Sequence, residues 1–381
     1  MPKWQYSCEH TGPGTLAGRY MRQFWQPIYV TDDIAPGRIK PIRIMGEDLT
    51  LYRGRSGQPY VVAQRCAHRG TQLSVGRVDG EHIRCLYHGW KYDGEGQCVQ
   101  QPGELEHEFC SRVRIQSHPA REYKGLIFAY LGEGDAPEFP VFPELEGDGI
   151  IESRSYRRRC NLTNFIDNHL DEIHLGFTHP VGYARLPEIP TVRISRTEMT
   201  AVSHCSRPGR VERITEFLMP NILRFKSASP YEEVHWADSV SWRVPEDDSA
   251  TRSFMVSRYV IEKGGENTFR TRQEQIRALP VPDMEAYAER ILSGELTYEE
   301  ALEEMGEHDP RLDVTLQDNL AMPGQGVVAD RDAETLAPSD AGILAVRDLW
   351  NERLADFDRG EQTHLWKQPP PSIATSGEDP L

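Results

Sequence analysis

The chain has 381 residues, 38% of them hydrophobic and 27% charged, enough to bury a sizeable core in two to three domains. Its formal net charge of −16 excludes a nucleic-acid backbone as partner, which needs clustered Lys and Arg, and the run Arg157, Arg158, Arg159 is too short to reverse that. No apolar stretch approaches the roughly 20 residues that span a bilayer, and the start MPKWQYSCEH lacks a signal-peptide core, so the expected location is the cytoplasm. Seven cysteines, an odd number, argue against a disulfide framework and for free or metal-bound thiols.

In chain order, residues 15–25 (TLAGRYMRQFW) carry helical apolar spacing after a Gly-Pro-Gly break. From Pro41 to about Leu131, the short segments PIRIMG, LTLYR, PYVVAQ, HIRCLYH, WKYDG and GLIFAYLG alternate with turn signals, which predicts a small antiparallel β domain. Within it, residues 66–88 read CAHRGTQLSVGRVDGEHIRCLYH: a Cys-x-His, sixteen residues, then a Cys-x-x-His. Thiolate and imidazole ligands in two close pairs suit either a structural zinc or a two-iron cluster with two Cys on one iron and two His on the other. Each pair supplies one Cys and one His, the grouping the cluster needs. Cys8, Cys98, Cys110, Cys160 and Cys205 have no such spacing and read as buried small hydrophobes.

Residues 134–150 (GDAPEFPVFPELEGDGI) form a linker, and the domain boundary falls near residue 148. Strand-like runs follow (TVRISRT, RITEFLM, SVSWRV, SFMVSRYVI), with helical ones among them (PDMEAYAERIL, TYEEALEEM); Thr297 and Glu300 form a capping box. Overall this is an α+β chain whose second domain has an antiparallel sheet flanked by helices. The expected units are 1–148, 149–365 and a flexible tail 366–381, whose QPPPSIATSGEDPL is either disordered or docked as an extended strand.

Residues 167–179 (DNHLDEIHLGFTH) space three histidines by five. On a helix advancing about 100° per residue, Asp167, Asp171 and His174 share a stripe, whereas His169 lies about 140° from His174. Asp171 and His174, three apart, can hydrogen-bond as a carboxylate orienting a metal-bound imidazole. Gly176 and Pro180 place His179 at the helix end, where it can be re-aimed. Geometry therefore prefers His174 with His179 over His169 with His174.

CAHRG and CLYHGWKYDGEG resemble the Rieske family, and NFIDNHLDEIHLGFTH resembles the catalytic-domain signature of Rieske non-heme iron oxygenases. GPGTLAGRYMRQFWQPIYV, MGEDLTLYR and LDVTLQDNLAMPGQGVVADR are similar to the phthalate-dioxygenase-like group, so the likeness runs from about residue 10 to 350, with no motif from 180 to 300. The resemblance implies a [2Fe-2S] cluster, with Cys66 and Cys85 on one iron and His68 and His88 on the other. It also implies a mononuclear Fe(II) on His174, His179 and a distant carboxylate. Asp318 fits that ligand best, Asp313 and Asp309 remain alternatives, and Asp330, Asp332 and Asp340 read as surface acids.

The same resemblance implies a head-to-tail homotrimer in which Asp171 bridges His174 to the partner subunit's His88; the alternative for Asp171 is a helix-surface acid. Asn168 either tunes the iron or lies on the helix surface. With no GxGxxG, electrons from NAD(P)H must come through a separate reductase or a ferredoxin. The expected function is the terminal oxygenase component that oxygenates an aromatic or related small apolar substrate with O2, by hydroxylation or oxidative N- or O-dealkylation. A ring cis-dihydroxylating dioxygenase is the alternative, followed by a Rieske electron carrier and a zinc-stabilised interaction protein. Arg193, Arg210 and Arg224 could bind a substrate carboxylate or sit on solvated strands, and none is assigned.

Overall fold

The structure is a computed structural model that describes residues 4–104, 108–179, 189–209, 211–228, 233–309, 311–361 and 366–374. The first part of the chain forms three antiparallel sheets, because its strands are short, β-branched and joined by tight turns. One orders Gln26–Val30, Leu126–Ala129 and Ala120–Tyr123; a second orders Ile39–Ile44, Glu47–Arg53, Pro59–Ala63 and Ser117–His118. The third, built of the shortest strands, orders Arg77–Asp79, His82–Arg84, Lys91–Tyr92 and Cys98–Gln100. TLAGRYMRQFW is helical over Leu16–Met21, with the Thr15 side chain accepting from the Gly18 amide as its cap.

Residues 134–149 hold no strand; their only regular element is a short turn of helix, Pro143–Leu145. A seven-stranded antiparallel sheet begins at Ile150, in the order Ile150–Arg158, Ala250–Ile261, Val234–Asp247, Ile222–Ala228, Arg213–Leu218, Thr200–Ser206, Thr191–Arg196. The expected α+β class, with an antiparallel sheet and flanking helices, is what the chain adopts. The helix Ala341–Asp358 packs on Thr200–Ser206, on Leu16–Met21 and on Leu162–Asp167, and its Val346, Leu349, Trp350 and Leu354 join Phe217, Trp242 and Phe254 in the main core.

The two parts meet through main chain as well as side chains. At the turn between Ile39–Ile44 and Glu47–Arg53, the amides of Met45 and Gly46 donate to the carbonyls of Pro245 (2.7 Å) and Glu246 (2.8 Å). These acceptors lie past the end of the ladder with Ile222–Ala228, whose last pair is Ile222 with Trp242, and beside an irregularity at Pro245/Asp247 in the ladder with Ala250–Ile261.

Three further helices, Met284–Leu292, Tyr298–Met305 and Arg311–Ala321, share a small core of Met284, Ala288, Met305 and Leu316. The Thr297–Glu300 capping box is formed as expected. Part of the expected tail is anchored: Trp366 Nε1 donates to Met219 O, Arg224 Nη1 donates to Pro370 O, and Ser372 Oγ and the Ile373 amide donate to Glu216 Oε2. Residues 375–381 of that tail lie outside the described residues, as do Pro180 and Arg210. No helix among the described residues is long and apolar enough to cross a membrane.

Candidate functional site: two metal centres

Cys66 and Cys85 each open a tight loop. The Gly70 amide bonds Cys66 O at 3.0 Å and the Gly89 amide bonds Cys85 O at 3.2 Å, while Cys66 N and Cys85 N bond Thr71 O and Trp90 O. The two thiols are buried and the rings of His68 and His88 are exposed, with centroids 4.5 Å apart. Sulfur ligands thus lie inside and imidazoles at the surface, the split that a cluster with two unlike irons requires. Burial pushes the Cys66 thiol up, while its hydrogen bond to Tyr92 opposes that shift. Tyr92 Oη lies 3.2 Å from Cys66 Sγ and accepts from the Ala67 amide, and Trp90 stacks flat on His68 at 4.5 Å. A cavity of about 560 Å³, lined by His68, Trp90, Phe109, Arg112 and Arg114 among others, opens beside these rings.

The expected continuous helix over 167–179 is not what forms. Leu162–Asp167 is helical, Asn168–Leu170 is a single tighter turn, Asp171 is extended (φ −87, ψ 91), and a new helix runs His174–Thr178. The cause is the Asp171 carboxylate, whose Oδ1 accepts from the amides of Ile173 and His174 and so competes with helical bonding. The Asp171–His174 contact also differs in kind. His174 Nδ1 bonds the main-chain oxygen of Asp171 at 2.5 Å, and the carboxylate Oδ2 stands 3.6 Å away.

The break brings His174, His179 and Asp318 together, with one ligand atom from each within 4.8 Å of the others. Asp318 comes from the distant helix Arg311–Ala321. His179 Nε2 lies 3.3 Å from Asp318 Oδ1, and its Nδ1 faces Gln317 Oε1 at 2.8 Å; Gln317 Nε2 in turn donates to Tyr298 Oη. Asp318 Oδ2 accepts from buried Arg158 Nη2 at 2.7 Å, whereas Oδ1 is buried and makes no hydrogen bond. Burial pushes the Asp318 carboxyl up, but the Arg158 guanidinium and His179 outweigh it and hold it below the usual range. Burial lowers His179, and its contacts with Asp318 and Gln317 more than reverse that. Asn168 Nδ2 lies 3.2 Å from His174 Nε2, beside the shared point.

His169 is elsewhere, buried, with its Nε2 accepting from Arg243 Nε at 2.8 Å. Burial and the charge of Arg243 hold it neutral, well below the ordinary histidine value. Asp309 pairs with Arg311 and Asp313 with His308, so neither joins the group. Arg224 is fully buried against Glu216, and Arg193 is an exposed partner of Glu212. Sequence reasoning missed Arg158, Gln317 and Tyr298. Strand alternation pointed to the first, since Arg158 must face opposite to Arg157 and Arg159.

The donor set fits a divalent iron: two imidazoles and one carboxylate on a face, with an orphaned, buried carboxylate oxygen turned toward His179 Nε2. Adjacent octahedral ligands, each about 2.1 Å from an ion, stand about 3 Å apart, close to the observed 3.3 Å.

A model of the Rieske [2Fe-2S] domain matches residues 24–118. Over 360 residues, 92% of this chain and 79% of the relative, the chain is 28% identical to the 5,5'-dehydrodivanillate O-demethylase oxygenase subunit of Sphingobium sp.. It is 29% identical over 376 residues to the phenoxybenzoate dioxygenase subunit alpha of Ectopseudomonas oleovorans, covering 91% of this chain and 84% of that one. The solved structure of Pseudomonas putida CBB5 NdmB shares the fold, with a TM-score of 0.65 at 19% identity over 90% of this chain and 94% of the other. Together these findings set aside the zinc-stabilised and electron-carrier alternatives. Oxygenases of this type take electrons from a ferredoxin or reductase partner. The chain thus carries a Rieske [2Fe-2S] domain and is similar along nine-tenths of its length to oxygenase subunits of the Rieske type, oxidoreductases whose cofactors are a [2Fe-2S] cluster and a mononuclear iron.

Proposed function

We propose that this chain is the terminal oxygenase that inserts oxygen from O2 into an aromatic or related small apolar substrate, by hydroxylation or oxidative O- or N-dealkylation. The observation that carries the reading is the convergence of His174, His179 and the unbonded Oδ1 of Asp318. The demethylase name of one relative favours dealkylation, and the dioxygenase name of another keeps ring dihydroxylation as the second reading.

In this reading Cys66 and Cys85 hold one iron of the cluster, His68 and His88 the other, and His174, His179 and Asp318 hold the mononuclear iron. When bound, the cluster supplies single electrons and the mononuclear iron supplies oxygen activation. The chain's residues prepare the two sites. Donation from His179 Nδ1 to Gln317 fixes the tautomer whose Nε2 lone pair faces Asp318, and donation from His174 Nδ1 to the Asp171 main chain likewise sets Nε2 as the acceptor there. Tyr92 orients the Cys66 sulfur, and Trp90 holds the His68 ring at the surface. Asn168 places a carboxamide next to His174 Nε2, where it can bind a water or a substrate oxygen.

The domain division proposed is 1–148 for the cluster and 149–365 for the mononuclear iron. In the proposed homotrimer, Asp171 carries electrons between His174 and the partner subunit's His88. The exposed Leu86 and Tyr87, flanking His88, support a docking role for this tip. Turnover of aromatic acids, ethers and amides with a surrogate reductase under isotopically labelled O2 tests the proposal. One labelled atom in the product, or loss of an alkyl group as aldehyde, is expected. Absence of label from every product in protein with about three irons per chain would sink it.

A further inference from the structure

We infer that Arg158 is a positioning residue for the mononuclear iron: by bonding Oδ2 of Asp318, it makes that carboxylate a ligand through Oδ1 alone. The inference rests on the reading of His174, His179 and Asp318 as the iron site.

Arg158 ends the strand Ile150–Arg158 and is only 2% exposed. Its neighbours turn away: Arg157 pairs with Glu246 and Glu285, and Arg159 with Glu289. Every side of the Arg158 guanidinium is held. Nη2 donates to Asp318 Oδ2 at 2.7 Å, Nε donates to Asn319 Oδ1 at 3.1 Å, and Nη1 faces Met322 Sδ at 3.8 Å. Its central carbon lies 4.5 Å from the Phe165 ring centroid and 4.9 Å from that of Tyr156. A fork fixed at so many points cannot follow Asp318 if the carboxylate turns.

Rotation of Oδ2 toward an ion would strand a buried cation, which is strongly unfavourable away from solvent. The cage holds a second cation: Arg243, 4.6 Å from the same Phe165 ring, is bonded to neutral His169 and to Ser253. Charge balance therefore ties Oδ2 to Arg158, and the orphaned Oδ1 is the oxygen left for the metal. A carboxylate bound through one atom leaves three of six octahedral positions open, and one bound through two leaves only two. Arg158 thus keeps open a position that oxygen, water or substrate can occupy.

The test uses the iron-loaded full chain, with nitric oxide as the probe and the visible spectrum of the cluster as the folding control. X-ray absorption at the ferrous site of the wild type should show a carboxylate bound through one oxygen. Arg158→Met should gain a second carboxylate oxygen and bind nitric oxide about tenfold more weakly, and Arg158→Lys, which keeps a cation in reach, should bind it nearly as the wild type does. A two-oxygen carboxylate in the wild type overturns the inference by itself, even if Arg158→Met folds poorly. An Arg158→Met protein with wild-type ligation and nitric oxide affinity overturns it as well. Asp318→Asn separates the two readings: retained iron there sinks the ligand assignment, whereas lost iron with an unchanged Arg158→Met site sinks only the role of Arg158.

Discussion

Replacing Gln317 by Leu removes a contact that orients His179 without touching the metal position. In the native protein His179 Nδ1 donates to Gln317 Oε1 at 2.8 Å, and Gln317 Nε2 donates to Tyr298 at 2.9 Å. Gln317 is 7% exposed, so water cannot substitute for the lost acceptor. Losing an outer partner of a metal-bound imidazole costs about 10- to 100-fold in metal affinity. That corresponds to roughly 1.4–2.7 kcal/mol at 25 °C. The buried His179 Nδ1–H also loses its partner, a further penalty on folding of roughly 1–3 kcal/mol, whereas Tyr298 is half-buried and loses less. Competition for ferrous iron between the protein and a chelator measures the first quantity, with cluster absorbance as the internal standard for folded protein. Gln317→Leu should release iron at 10- to 100-fold lower chelator concentration, and Gln317→Glu, which keeps an acceptor, should recover most of the affinity. Unchanged iron affinity in a folded Gln317→Leu protein would refute the idea that this bond sets the tautomer and aim of His179.

Three other outcomes are expected. Asp171→Ala should keep the visible spectrum of the cluster and most of the mononuclear iron yet abolish NADH-coupled turnover, and substantial turnover would contradict the bridging role. His174→Ala and His179→Ala should lose the mononuclear iron while His169→Ala retains it. His169→Ala should nonetheless lower stability by about 1–3 kcal/mol, because buried Arg243 loses its acceptor; iron analysis and thermal melts read the two effects separately. Deleting residues 366–381 removes the donors on Glu216 and the acceptor on Arg224, a buried pair, and should lower the melting temperature by several degrees. An unchanged melting curve would mean that these contacts contribute nothing.

The cluster loops were legible because their information is local: Cys66 with His68 and Cys85 with His88 stand within three residues of each other, between short strands marked off by turn residues. His174 and His179 were legible for the same reason. The helix through Asp171 was misread because periodicity counts side chains by face and ignores what a carboxylate does to nearby amides. Close packing reinforces the break. A Cβ on Gly342 would stand 2.3 Å from Leu170 O, so only a residue without one lets the Ala341–Asp358 helix close on this loop. Arg158 was counted for its charge within a triplet, although alternation set it apart from its neighbours. Gln317, Tyr298 and the buried Glu216–Arg224 pair depend on contacts between distant segments, which no local pattern records. The thiols of Cys98 and Cys110, 3.5 Å apart though unremarkable in spacing, are another such case.

The joint between the two halves, in which Met45 and Gly46 bond Pro245 and Glu246, is written entirely in backbone atoms. Side chains at Pro245 and Glu246 can change without altering the acceptors, whereas the donors sit at positive φ, 48° at Met45 and 74° at Gly46, where residue choice is restricted. Insertion or deletion is a different matter: one residue added to either turn shifts the register of both bonds. Divergence at this seam is therefore tolerated on the acceptor side and constrained in residue count, and a chimera that joins foreign halves here should be designed by matching turn lengths and keeping glycine at position 46.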